Sequence, residues 1–107
     1  MKIEQFNENI FYFEVPYEDV FVNIYVIKYD DKAILFDAAA TDFDVNTYIL
    51  PALSALNVDE NVLSHVFISH NHGDHSGGLS LIAKHFPNAK IISRCEKLSA
   101  KFANVLG

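Results

Sequence analysis

Residues 66–78 read VFISHNHGDHSGG and place a polar, histidine-rich run directly after a short apolar one. The apolar run, residues 66–68, has the β-branched and aromatic composition of a buried strand. Apolar residues then recur at helical spacing from Leu79 to Phe86, which predicts a helix. The histidine-rich run is therefore expected to lie between a strand and a helix.

Three imidazoles and one carboxylate stand within six consecutive residues of this run: His70, His72, Asp74 and His75. Zinc accepts both kinds of ligand, and iron and manganese can use the same set. Residues two apart in an extended segment face the same side, so His70 and His72 can bind one ion while Asp74 and His75 face a second. The run predicts a site for one or two metal ions. Gly77 and Gly78 are expected to let the next helix pack close against the strand.

The rest of the chain reads as strands and helices in one domain over residues 1–107. Strands are predicted at Lys2–Phe6, Ile10–Val15, Val20–Lys28, Ala33–Phe36 and Ile91–Ile92. Pro16 is expected to end the second strand. The third is almost unbroken in its apolar character, as expected for a strand covered on both faces.

Helical spacing appears again between Val45 and Leu56, where Pro51 is expected to kink the helix or to open a second one. Ser93 and Glu96 form a capping-box pattern that predicts a last helix. This order of elements predicts an α+β fold, a mixed sheet of short strands with helices packed on one face.

Composition excludes several classes of partner. The formal charge of −6 opposes nucleic acid and anionic lipid, and no run approaches the roughly 20 apolar residues of a membrane-spanning helix. Cys95 is the only cysteine, which excludes an intrachain disulfide and a thiolate cluster for zinc. No signal-peptide pattern opens the sequence, so a cytoplasmic protein is expected. The acidic balance favours a small-molecule substrate over nucleic acid.

The His-X-His-X-Asp-His pattern after a hydrophobic strand resembles the signature of the metallo-β-lactamase superfamily. The resemblance extends to the N-terminal hairpins, to the strand at 23–27 and to Asp37 at the end of the LFD strand. It implies the N-terminal half of a metallo-β-lactamase-like αβ/βα sandwich. It also implies a hydrolase, most often with two zinc ions, in which a metal-bound hydroxide attacks a substrate such as a small ester or thioester.

The resemblance assigns a role to each matching residue. His70 and His72 would bind the first metal, and Asp74 and His75 the second, with Asp74 also taking the proton of the attacking water. Asp37 would brace the motif from behind the ligands without binding metal; a strand-end aspartate that makes a local turn is the equally weighted alternative. This chain continues with alanines at 38–40, where many members have a glycine soon after the acid, which predicts a different turn.

Further ligands of the family come from segments well downstream, so the site is expected to be incomplete and inactive within residues 1–107. His65 and His85 do not replace these ligands and are expected to be structural or surface residues. A diiron oxidoreductase or oxygen-sensing relative is the first alternative, although that branch commonly has Glu where this chain has His72. The second is a non-catalytic half-fold whose exposed apolar sheet face forms a homodimer.

Overall fold

The computed structural model describes residues 2–68 and 78–93. All four predicted metal ligands fall in 69–77, and the predicted last helix and Cys95 fall in 94–107, so these predictions lie outside the described residues. In the described part of the chain, no helix is long and apolar enough to cross a membrane.

Six strands form one sheet in the described residues, and short helices connect the later strands. The strands are β1 (Glu4–Gln5), β2 (Ile10–Tyr17), β3 (Val20–Tyr29), β4 (Lys32–Phe36), β5 (Leu63–Ile68) and β6 (Lys90–Ser93). The helices are α1 (Asp42–Asp44), a π-helical turn (Val45–Ile49), α2 (Leu50–Ala55) and α3 (Leu79–His85).

The strands lie in the sheet in the same order as in the sequence. β1 to β4 are antiparallel neighbours, whereas β4, β5 and β6 are parallel. Two-residue loops at 18–19 and 30–31 close the hairpins, and Glu18 and Asp30 adopt left-handed φ angles of 53° and 52° there. The mixed sheet predicted from the sequence is confirmed.

One hydrophobic core joins the sheet to the helices. Its sheet side includes Phe13, Ile24 and Leu35, and the helices contribute residues such as Ile49 and Ile82; all five are fully buried. Burying side chains of this size is the main stabilising term in a domain of about 100 residues. The helices therefore pack on a single face of the sheet, as predicted.

Pro16 does not end β2, contrary to the prediction. The strand continues to Tyr17, and Pro16 stands opposite Phe21 of β3. On its other side β2 is paired with β1 only at Phe11 and Tyr12, so the Pro16 end is an edge toward β1. Proline is tolerated at a sheet edge because its missing N–H takes no hydrogen bond away from a ladder.

Within the described residues, β3 is covered on one face only, so the prediction that both of its faces are covered was wrong. Val22, Ile24 and Val26 point into the core, whereas Phe21 and Tyr25 keep 63% and 39% of their surface exposed. The apolar run that suggested two covered faces thus has one face against the helices and one face open.

The helical region after β4 begins at a side-chain cap. Thr41 is the N-cap of α1, and its hydroxyl oxygen accepts a hydrogen bond from the Asp44 amide at 3.1 Å. Pro51 lies in the first turn of α2, directly after the π-helical turn. Proline fits a first turn because amides there have no partner within the helix. Of the two predicted outcomes, the one in which Pro51 opens a second helix is closer.

Apolar side chains also form continuous rows on the sheet face opposite the helices, which we call the outer face. One row consists of Ile10, Ile27 and Ile34. The other consists of Tyr12, Tyr25, Phe36 and Phe67. The Phe36 and Phe67 rings stack with centroids 5.1 Å apart, and those of Tyr12 and Tyr25 lie 5.5 Å apart. Such ring pairs are favourable contacts beyond the area they bury.

Candidate functional site

Asp37 follows the last residue of β4 directly. It is the only buried charged or polar residue among those described, with 7% of its surface exposed. Its φ of 73° is left-handed, a conformation that aspartate adopts more readily than most residues. Its amide donates a hydrogen bond to the Phe67 carbonyl of β5 at 2.7 Å. Asp37 therefore lies at the carboxyl end of β4, beside the point where β5 leads into the histidine-rich run.

Asp37 begins a turn that is buried over its first three residues, and we call residues 37–41 the anchor turn. Ala38 and Ala39 are buried, and Ala39 has a φ of 62°. A left-handed φ normally favours glycine because a Cβ crowds the backbone there. The three alanines predicted a different turn, yet the left-handed conformation that suits glycine occurs with alanine at position 39.

Gly78, the residue that follows the histidine-rich run, packs directly against the anchor turn. Its amide donates a hydrogen bond to the Ala39 carbonyl at 3.0 Å. A Cβ added at Gly78 would stand 2.6 Å from the Ala38 carbonyl oxygen and would also collide with the Val45 side chain. Close packing was predicted between the following helix and the strand, whereas the close contacts of Gly78 are with the anchor turn and Val45.

The carboxyl ends of the three parallel strands lie at one edge of the sheet. Phe36 of β4 is in register with Phe67 of β5, and Ile68 is in register with Ser93 of β6. Ligands of open sheets with parallel strands bind beyond this edge. Ile68, the last described residue before 69–77, lies at this edge, and Gly78, the first described residue after them, lies against the anchor turn.

The two other histidines of the described chain lie elsewhere. His65 is on the outer face of β5, with its Nδ1 2.8 Å from the Ser64 hydroxyl oxygen and its ring 6.3 Å from that of Phe67. His85 is exposed in the last turn of α3. Within residues 2–68 and 78–93, no three His, Cys, Asp or Glu side chains are grouped closely enough to hold a metal ion.

Sequence comparison finds relatives that are longer than this chain. The Bacillus subtilis (strain 168) protein YobT is 33% identical over 76 residues, which are 66% of this chain and 28% of YobT. Ribonuclease J of Mycoplasma genitalium is 32% identical over 71 residues, 63% of this chain and 12% of the ribonuclease. The chain thus spans less than a third of the length of either relative.

The fold is similar to those of solved metallo-β-lactamases. BJP-1, a subclass B3 metallo-β-lactamase of Bradyrhizobium japonicum, superposes with a TM-score of 0.67 and 24% identity, over 85% of this chain and 32% of that enzyme. Independently of the fold, residues 17–98 match the sequence pattern of the metallo-β-lactamase superfamily. This match covers more than half of the chain and includes Asp37 and the whole histidine-rich run. The chain therefore belongs to the metallo-β-lactamase superfamily.

Proposed function

We propose that this chain supplies metal ligands to a zinc-dependent hydrolase that acts on a small ester or thioester. The observation that carries the proposal is where the described chain stops and resumes around residues 69–77. Ile68 ends β5 at the edge where the parallel strands end, the buried Asp37 is hydrogen-bonded to Phe67 there, and Gly78 packs against the anchor turn. In the sequence, the residues between Ile68 and Gly78 include three histidines and an aspartate. The superfamily to which the chain belongs includes metallo-hydrolases.

The donor set fits zinc. Nitrogen and oxygen donors suit this ion, and a catalytic zinc site keeps a position open for water or substrate. We assign His70 and His72 to one ion, and Asp74 and His75 to a second. Two histidines alone fall short of the three protein ligands of an ordinary catalytic zinc site, so we propose that further ligands come from outside residues 1–107.

Each group then has a chemical task. When bound, zinc acts as a Lewis acid and makes water acidic enough to serve as a nucleophile near neutral pH. The Asp74 carboxylate would take up a proton from the attacking water. Asp37, buried at the end of β4, supports the ligand segment from behind without binding metal itself.

Zinc calorimetry with a double variant tests the proposal. We expect the wild-type chain to bind Zn²⁺ and His70→Ala/His72→Ala to bind at least about 100-fold more weakly, because two imidazole ligands are lost. His85→Ala is the matched control, since this imidazole is exposed on α3. An equal loss in the control would contradict the ligand assignment. No binding by the wild-type chain would mean that the ligands within residues 1–107 do not hold zinc without those proposed to come from outside.

The metal of the freshly purified protein separates this proposal from the diiron alternative. Zinc in elemental analysis and a colourless solution are expected. Two iron atoms per chain, with the absorption of a diiron centre, would favour an oxidoreductase instead. If the chain binds zinc at micromolar concentration, so that the missing ligands are supplied, hydrolysis is tested with a chromogenic acetate ester and its thioester analogue, comparing the wild-type chain with Asp74→Asn.

We further propose that two copies of the chain associate through the outer face. Its apolar rows are flanked by opposite charges at opposite corners, Glu14 on β2 and Lys90 on β6, both exposed. A single two-fold axis can set each of these charges against its counterpart in the second copy, so the face is complementary to itself. This arrangement favours a second copy over an unrelated acidic or basic partner.

A further inference from the structure

The two flanks of the ligand segment 69–77 are held by the same short turn. The Asp37 amide binds the Phe67 carbonyl just before the segment, and the Ala39 carbonyl binds the Gly78 amide just after it, with N···O distances of 2.7 and 3.0 Å. Asp37 and Ala39 are two residues apart in the chain. The distance between the flanks is therefore fixed by the backbone conformation of the anchor turn.

That conformation is narrowly constrained. Asp37 and Ala39 both have left-handed φ angles, 73° and 62°, and residues 37–39 are buried, so little space is left for an alternative path. Gly78 is equally constrained, because a Cβ there would collide with the Ala38 carbonyl oxygen and with Val45. Buried elements packed this tightly transmit displacements to their neighbours, and small shifts are not absorbed locally.

We infer that Ala39 and Gly78 are positioning residues, which set the geometry of the ligands in 69–77 through the anchor turn. The inference rests on the proposed metal site for its functional consequence. It adds two residues that bear no donor atom on their side chains. Groups that orient metal ligands without touching the metal typically affect metal affinity by about 10- to 100-fold when they are changed.

Four variants test this inference. Gly78→Ala introduces the collision with the anchor turn, and Ala39→Val places a β-branched residue at a left-handed φ, which such residues rarely adopt. Ala39→Gly is the conservative variant, because glycine accepts that φ freely. Leu53→Ala is the control for general destabilisation: Leu53 is 1% exposed, lies on α2 and belongs to the core rather than to the anchor turn.

Three quantities are measured for each variant: the urea midpoint of the metal-free protein, the Kd for Zn²⁺, and the visible spectrum with Co²⁺ as a probe of ligand geometry. We expect Gly78→Ala and Ala39→Val to raise the Kd by about tenfold or more and to alter the Co²⁺ spectrum. Ala39→Gly should match the wild type in both. Leu53→Ala should lower the urea midpoint while its Kd, measured where the protein is still folded, changes by less than about twofold.

Other results overturn the inference. If the Kd for Zn²⁺ rises in proportion to the fall in the urea midpoint, and does so equally in Gly78→Ala and Leu53→Ala, Gly78 has a structural role only. An Ala39→Val variant with the wild-type Kd and Co²⁺ spectrum would remove Ala39 from the positioning set.

Amide hydrogen exchange in the metal-free protein separates failure of the inference from failure of the metal site. The inference is supported if the Asp37 and Gly78 amides are protected in the wild type and both exchange faster in Ala39→Val than in Leu53→Ala at matched stability. This holds even if no zinc binds. The absence of zinc binding then counts against the proposed function alone. A Gly78 amide that exchanges at the rate of an unstructured peptide overturns the anchor, whether or not zinc binds.

Discussion

Two neighbouring residues of β4 offer a direct test of the two sheet faces. Leu35 points into the core and is fully buried, whereas Ile34 lies on the outer face and is partly exposed. Truncation to alanine removes the same number of carbon atoms from each. Because Leu35 loses its whole buried side chain and leaves a cavity, Leu35→Ala should lower the free energy of unfolding by about 3 kcal/mol.

In a single chain, Ile34→Ala should lower the free energy of unfolding by only about 1 kcal/mol, because part of the side chain is already in water. If two copies pair through the outer face, Ile34→Ala also weakens the pairing, so its cost should grow with protein concentration while that of Leu35→Ala stays constant. Urea unfolding of both variants and the wild type at two concentrations a hundredfold apart measures this.

Equal costs for the two substitutions at the lower concentration would refute the reasoning, since the outer face would then be as well covered as the core within one chain. Midpoints that do not depend on concentration, together with a sedimentation mass of one chain, would refute the proposed dimer.

Three further predictions concern a hydrogen bond, a backbone angle and a pair of charges. Lys28 donates a hydrogen bond from its ammonium group to the Leu56 carbonyl at the end of α2, so Lys28→Met should lower the free energy of unfolding by about 1 kcal/mol, and an unchanged urea midpoint would contradict this capping role. Asn57 follows α2 with a φ of 61°, so Asn57→Gly should raise the stability by about 0.5 kcal/mol, whereas a loss would show that the asparagine side chain matters more than the backbone angle. Glu14→Lys and Lys90→Glu should each weaken dimerisation, and the double variant should restore it; sedimentation at low salt measures this, and a double variant no better than either single one would contradict the paired corners.

Local sequence patterns predicted most of the elements because the interactions that form them are local. The hairpins need turn residues next to apolar strands, as at Asp30, and the helices need periodic apolar positions. Pro16 was misjudged because its tolerance depends on how far β1 extends along β2, which is a property of the whole sheet. The open face of β3 was missed for the same reason, since an apolar run does not reveal what lies beyond it.

The proposed metal ligands and the anchor turn differ in how they can be predicted. The ligands stand close together in the sequence, so their density alone indicates metal chemistry. The anchor turn depends on contacts between residues about 30 to 40 positions apart, such as that of Ala39 with Gly78, and an alanine carries no sign that its backbone is left-handed. Gly78 could be predicted as a site of close packing, but its partners could not.

The order of the strands in the sheet bears on how the protein forms. Since every strand lies next to its neighbour in the sequence, β1 to β4 can assemble by successive hairpins as the chain leaves the ribosome, each step closing only a short loop. Only β5 and β6 must wait for an intervening helix before they can pair. The edge at which β5 leads into residues 69–77 is therefore completed last, when β5, α3 and β6 are added to a sheet that already exists.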